Sequence, residues 1–195
     1  MKLLLSVIIL IFSLQSWTKA DDIRDFQIEG MGIGDSLLNY YNKEEIKSKI
    51  FMDYPKSDKY KRFYSYKDKS FLQYEGVQVN FKKGDKNYII DVLAGEIQFK
   101  DNINGCLDLQ RTIVRELDKM FTSVQKEKIN RDKSFDKSGK SKSYMIGYIF
   151  KSGEQIIVGC DDWSKEISDK HNLQDGLSVS LRTLEFINFL NNEAY

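Results

Sequence analysis

The alternation of apolar and polar residues after residue 76 predicts a first antiparallel hairpin. Val77, Val79 and Phe81 alternate with polar neighbours, which is the period-two pattern of a strand that buries one face. A turn at 83–86 follows, and the apolar run from Asn87 to Phe99 then predicts the return strand.

A second hairpin and one further strand are predicted closer to the C-terminus. The apolar runs Tyr144–Phe150 and Gln155–Cys160 are joined by a polar, glycine-containing turn at 151–154. Gly176–Arg182 alternates leucine and valine with polar residues, so it predicts a fifth strand.

Helical spacing marks the segments between these strands. Cys106–Phe121 is the clearest case, because Leu109, Ile113 and Leu117 lie three to four residues apart on one face. Shorter helices are predicted within 35–50, within 161–172 and from Leu184 to Leu190.

The order of these elements predicts the fold class. Strands arrive in hairpins, without the regular strand–helix alternation that builds a parallel sheet. We therefore predict one α+β domain over residues 21–195, with an antiparallel sheet of about five strands covered on one face by helices. Residues 123–143 have few apolar side chains, so we predict a mobile polar surface loop there.

The first twenty residues have the order of a cleavable export signal. Lys2 precedes an apolar run over 3–14, and a more polar stretch ends at Ala20. This run is about 12 residues long, whereas a membrane-spanning helix needs about 20, so we predict no permanent membrane anchor. Cleavage is expected between Ala20 and Asp21, which would deliver the mature chain to the periplasm or outside the cell.

Charge and cysteine content narrow the function further. The chain has 30 Lys+Arg and 29 Asp+Glu, and loss of Lys2 and Lys19 leaves 28 against 29, a balance that argues against nucleic-acid binding. Exported chains meet an oxidising compartment, so the two cysteines predict a Cys106–Cys160 disulfide. Two buried thiols or an intermolecular bridge are the alternatives.

One short motif introduces a candidate chemistry. Gly34-Asp35-Ser36-Leu37 resembles the tetrapeptide that names the GDSL family of esterases and lipases. The resemblance implies Ser36 as a nucleophile and His171, the single histidine, as its general base. It also implies a doubly wound parallel sheet. Asp35 or Ser36 as a helix cap is the alternative interpretation of the same residues.

Two departures from that family affect the prediction. Its aspartate lies three residues before the histidine, where this chain has Ser168, and Asp169 is one residue too close. The glycine-x-asparagine-aspartate block that supplies oxyanion donors is missing between residues 60 and 130.

The leading hypothesis is therefore a non-enzymatic exported module that binds an unknown protein or envelope component. A serine esterase that uses Ser36 and His171 is the alternative. No metal or cofactor is expected, because one histidine and two distant cysteines do not make a zinc site and Asp161-Asp162 lacks a calcium loop. The aromatic residues of 60–74 suggest either a surface for a partner or glycan, or packing within the sheet.

Overall fold

Eight strands pair into one antiparallel sheet in the computed structural model, which describes residues 22–51, 54–133 and 136–195. The strands are β3 (Ile50–Phe51), β4 (Tyr60–Tyr66), β5 (Gly76–Lys82), β6 (Val92–Gln98), β7 (Gln125–Asp132), β8 (Lys142–Ile149), β9 (Gln155–Asp162) and β10 (Gly176–Arg182). Two short strands, β1 (Gln27–Ile28) and β2 (Met31–Gly32), form a separate ribbon. The predicted export signal and the Ala20–Asp21 cleavage site lie outside the described residues.

The helices are short except for one. They are α1 (Lys43–Ser48), α2 (Ile103–Met120), α3 (Lys165–His171) and α4 (Leu184–Asn192), with 3₁₀ turns at Ile23–Asp25 and Leu37–Asn39. α1 begins with a capping box, in which Asn42 and Glu45 each accept the other's backbone N–H. Among the described residues, none of these helices has the length and apolar character needed to cross a membrane.

The sheet consists of two meanders that meet at its centre. Its strand order is β3-β4-β5-β6-β10-β9-β8-β7, so each half contains four strands that follow one another in the chain. The halves join where β10 pairs with β6 along its full length, from Gly176 opposite Gln98 to Arg182 opposite Val92. The predicted α+β class and antiparallel pairing are confirmed.

One surface of the sheet, called the helix face here, holds the main core. Val79 on β5, Leu93 on β6 and Val158 on β9 are fully buried on this surface. α2 packs on β9 and β10, and its buried residues follow the spacing of one helix face: Cys106, Gln110, Ile113 and Leu117.

Two kinds of bond attach α2 to the sheet. The predicted disulfide is present, joining Cys106 on α2 to Cys160 on β9 with their Cα atoms 6.0 Å apart. One turn further along α2, the buried side-chain amide of Gln110 donates to the carbonyl oxygens of Tyr144 at 2.7 Å and Val158 at 2.9 Å. Because β8 and β9 supply these carbonyls, the helix is bonded directly to the sheet backbone.

The opposite surface, called the open face here, corrects the prediction that helices cover one face only. α4 packs on this side, where Phe186 and Phe189 form a second core with Tyr54, Tyr60 and Val92. Neighbouring strand residues point to opposite sides, so Tyr60 and Val92 face away from α2. α4 covers only the end of the sheet at which β6 begins and β10 ends.

The expected strand count and the predicted loop are also corrected. The sheet has eight strands, not five, because β3, β4 and β7 were not predicted. Most of the expected polar loop of 123–143 is strand β7 and its turn into β8. β7 lies at the sheet edge with both faces largely in water, and only Ile129 is partly buried, so it lacks the apolar alternation that identifies a strand.

Removing the disulfide should lower stability without changing the fold. The bond closes a loop of 54 residues, for which the chain-entropy model gives about 4 kcal/mol. We expect the Cys106→Ala/Cys160→Ala double variant to lose about this free energy in equilibrium denaturant unfolding. The reduced native protein is the matched control and should show a similar loss. Two reactive thiols in denatured, unreduced native protein would contradict the bond.

Candidate functional site

The open face has unusually small side chains at its centre. Ala94 on β6, Ser178 and Ser180 on β10 and Gly159 on β9 occupy neighbouring positions on this surface. Large side chains stand on either side of them, on β4 and on β7, and α4 lies across one end. The Met145 side chain on β8 lies over Gly159, and Ala94 and Ser180 are buried.

A cleft of about 420 Å³ lies where the open face meets α4. We call it the arginine cleft; its lining residues are Glu127, Ile129, Arg131, Gly147, Ile149, Gln155, Ile157, Arg182, Ile187, Leu190, Asn191 and Tyr195. Strands β7 to β10 form its floor, and α4 and the residues after it form its wall. Five aliphatic side chains and six polar or charged ones line it, and the volume lies within the range of small-molecule sites.

Arg182 is the least expected residue in this cleft. It is the last residue of β10 and is partly buried, and its Nε donates to Ser180 Oγ at 3.1 Å. Burial lowers the pKa of Arg182 from its ordinary value, and the neighbouring cation Arg131 lowers this pKa further. Within the described part of the chain, neither arginine forms an ion pair with a carboxylate.

This arrangement suits an anion. A desolvated guanidinium without a counter-ion is costly, and it has planar donors that match the two oxygens of a carboxylate. Glu127 is the one carboxylate side chain that lines the cleft, and it accepts from Gln125 at 2.7 Å. The side chains of the cleft therefore carry two positive charges and one negative charge.

The other half of the open face has aromatic and acidic character. Tyr64 donates its hydroxyl to Glu96 at 3.1 Å, and Tyr66 donates to Gln98 at 2.9 Å. Burial raises the pKa of Glu96, since the carboxylate loses solvent in the middle of the sheet. Of the two interpretations of the aromatic residues in 60–74, these contacts favour packing within the sheet: both hydroxyls are bonded across β5, and Tyr64 lies over Gly76.

A second, polar cleft of about 360 Å³ lies near the start of the described chain. Arg24 lines it and donates to Asp22 at 3.0 Å and to Glu154 at 3.4 Å. Its arginine is therefore already neutralised by two carboxylates, in contrast to Arg182.

Ser36, the serine of the GDSL-like tetrapeptide, forms the hydrogen bonds of a helix cap. Its hydroxyl donates to the carbonyl oxygen of Asn87 at 2.6 Å and accepts from the amide of Leu38 at 3.3 Å. Ser36 is thus the N-cap of the Leu37–Asn39 turn, as the alternative interpretation of the motif predicted. Asp35 accepts from Gly32 and from the Tyr40 hydroxyl.

The structure does not bring Ser36 and His171 together. Ser36 is bridged to Ile89, just before β6 begins, whereas His171 ends α3, just before β10 begins. Since β6 and β10 are antiparallel, these two starts lie at opposite ends of the sheet, separated by roughly 20 Å of strand. Asp169 forms an ion pair with Lys165 at 3.2 Å.

The acidic residues also fail to form a metal site. Among the described residues, no group of histidine, cysteine and carboxylate side chains has the geometry to hold a metal ion. Asp161 is paired with Lys133 at 2.8 Å, and Asp175 accepts from the Trp163 amide at 2.9 Å.

Sequence patterns did not identify the arginine cleft. Arg131 falls in the segment predicted as a mobile loop. Arg182 ends a strand that was predicted from its apolar residues alone. The alternation within β10 could have indicated Arg182, because it places this arginine on the sheet face opposite the core residues Leu177, Val179 and Leu181.

The role of Ser36 can be tested with a fluorophosphonate probe. We expect the native protein to remain unlabelled, because the hydroxyl proton is directed to a backbone carbonyl rather than to a base. Ser36→Ala should lower the free energy of unfolding by about 1 kcal/mol through loss of the cap, and Ser36→Thr should largely retain it. Labelling of the native protein that disappears in Ser36→Ala would contradict the capping role.

The raised pKa of Glu96 predicts that the stability difference between Glu96→Gln and the native protein depends on pH. A raised pKa in the folded state means that ionisation of Glu96 opposes folding, so its penalty is present at pH 7 and absent at pH 3. We expect Glu96→Gln, which still accepts from Tyr64, to gain about 1 kcal/mol in unfolding free energy at pH 7 and nothing at pH 3. The measurement at pH 3 is the control, because the native Glu96 side chain is then uncharged, as glutamine is. Equal stability of Glu96→Gln and native protein at pH 7 would be the contrary result.

Comparisons with known proteins return no relatives. No protein-family model matches the chain, and neither curated proteins nor solved structures give a significant match. A function for this chain therefore has to come from its own residues and their geometry.

Proposed function

We propose that this chain is an exported, non-enzymatic binding domain whose ligand occupies the arginine cleft. The observation that carries the proposal is the form of this cleft, in which aliphatic and polar side chains surround a partly buried arginine that has no carboxylate partner among the described residues. A concave site that combines apolar side chains with convergent polar groups is typical of sites for small organic molecules.

Two features support export. Residues 1–20 have the tripartite order of a signal peptide. The Cys106–Cys160 disulfide fits an oxidising compartment, where such bonds persist.

The binding role is favoured over catalysis by the positions of the candidate groups. A serine hydrolase needs its nucleophile within hydrogen-bond reach of a base, and here Ser36 and His171 are placed at opposite ends of the sheet. The cleft itself is lined by arginine, amide and aliphatic side chains together with Glu127 and Tyr195, and among the described residues neither a serine, a cysteine nor a histidine lines it.

An uncharged, environment-sensitive dye such as Nile red tests the cleft directly. We expect the mature native protein to bind the dye, and Ile187→Asp, which places a charge in the apolar wall, to weaken binding about tenfold or more. Ile187 is only partly buried and lies between the core residues Phe186 and Phe189, so the fold should persist, which circular dichroism can verify.

A matched control comes from the same helix. Leu184 is 42% exposed and lies outside the cleft, so Leu184→Asp should bind the dye like native protein. Failure of the native protein to bind the dye, or equal binding by Ile187→Asp, would overturn the proposed site.

A further inference from the structure

We infer that the arginine cleft selects a long-chain carboxylate, with the anionic head at Arg182 and the alkyl chain along the isoleucine side chains of the floor. This inference rests on the proposed function and specifies the chemical class of its ligand.

The position of the head group is inferred from the hydrogen-bond donors of Arg182 that have no carboxylate partner in the described chain. The Arg182 Nε is bonded to Ser180, and the two terminal nitrogens of this guanidinium have no bonded carboxylate in the described chain. Arg131 on β7 faces the same cleft, and its charge acts on Arg182. An anion bound at Arg182 would supply the missing counter-charge and offset the repulsion that Arg131 exerts on this guanidinium.

The chain site follows from the composition and length of the floor. Ile129, Ile149 and Ile157 lie on three adjacent strands, and Ile187 and Leu190 of α4 face them. From β10 to β7 the floor crosses three strand spacings, roughly 14 Å, which is comparable to an extended dodecyl chain. Burial of an apolar chain along this row is the favourable contribution that an inorganic anion lacks.

The other polar groups of the cleft do not cancel its preference for a negatively charged ligand. The other polar side chains that line the cleft are Gln155, Asn191 and Tyr195, and Glu127 accepts from Gln125 at the sheet edge. A long-chain alcohol would fill the same floor without pairing with the arginines, and a long-chain ammonium ion would be repelled by them.

The test is displacement of Nile red by three ligands that share one alkyl chain. Dodecanoate should displace the dye from native protein at a concentration about tenfold or more below that needed for dodecanol, and dodecyltrimethylammonium should be weakest. Arg182→Met should reduce the preference for dodecanoate over dodecanol to less than about threefold while dodecanol binding persists. Arg115→Met, on the outer side of α2, is the control and should keep the native preference.

Thermal unfolding gives a second measurement, which distinguishes an arginine that binds a ligand from one that only stabilises the fold. Without ligand, Arg182→Met should melt at or above the native temperature, because methionine removes a desolvated charge. Dodecanoate should raise the melting temperature of native protein more than that of Arg182→Met. If Arg182→Met does not fold, Arg131→Met on the exposed edge strand replaces it and should also reduce the carboxylate preference.

The outcomes separate the two proposals. Equal displacement by dodecanoate and dodecanol would overturn the carboxylate inference and leave the cleft as a binding site. A preference that survives in both arginine variants would also overturn the inference. Absence of dye binding and of displacement by every ligand would overturn the proposed function itself.

Discussion

Attachment of α2 to the centre of the sheet is the constraint on which the rest of the structure depends. The Cys106–Cys160 bond fixes the helix to β9, and Gln110 bonds it to the backbone of β8 and β9. α2 also connects the two meanders, so fixing it to the second meander holds β6 beside β10. With one surface of the sheet closed in this way, any ligand site of the sheet has to lie on the opposite surface.

The position of α4 then determines where on that surface a site can form. Thr183 caps α4 immediately after β10, and its amide donates to the Asp91 carbonyl at 3.1 Å, so the chain turns back over the open face. Phe186 and Phe189 bury against Tyr60 and Val92, which seats the helix on the first meander. Its other side, with Ile187, is left facing the second meander across a gap, and this gap is the arginine cleft.

Local patterns predicted the parts of this fold that depend on burial of one face. Val77, Val79 and Phe81 identified β5, and the helical spacing after Cys106 identified α2, because each element buries one regular set of side chains. β7 escaped prediction, since an edge strand in water needs no apolar alternation. The cleft could not be predicted either, because Arg131 and Arg182 belong to separate parts of the sheet and line one cleft only after α4 has folded back.

The direction of Arg182 is fixed by the strand that carries it. The core on the helix face includes Leu177, Val179 and Leu181 of β10. Because strand residues alternate between the two faces, Ser178, Ser180 and Arg182 lie on the open face. An arginine there is partly covered by α4, since the helix starts two residues later. A methionine at the same position would cover Val92 and Ile187 without any desolvated charge, so packing alone does not account for the arginine. The proposed anionic ligand would supply the counter-charge that no described carboxylate side chain gives to Arg182.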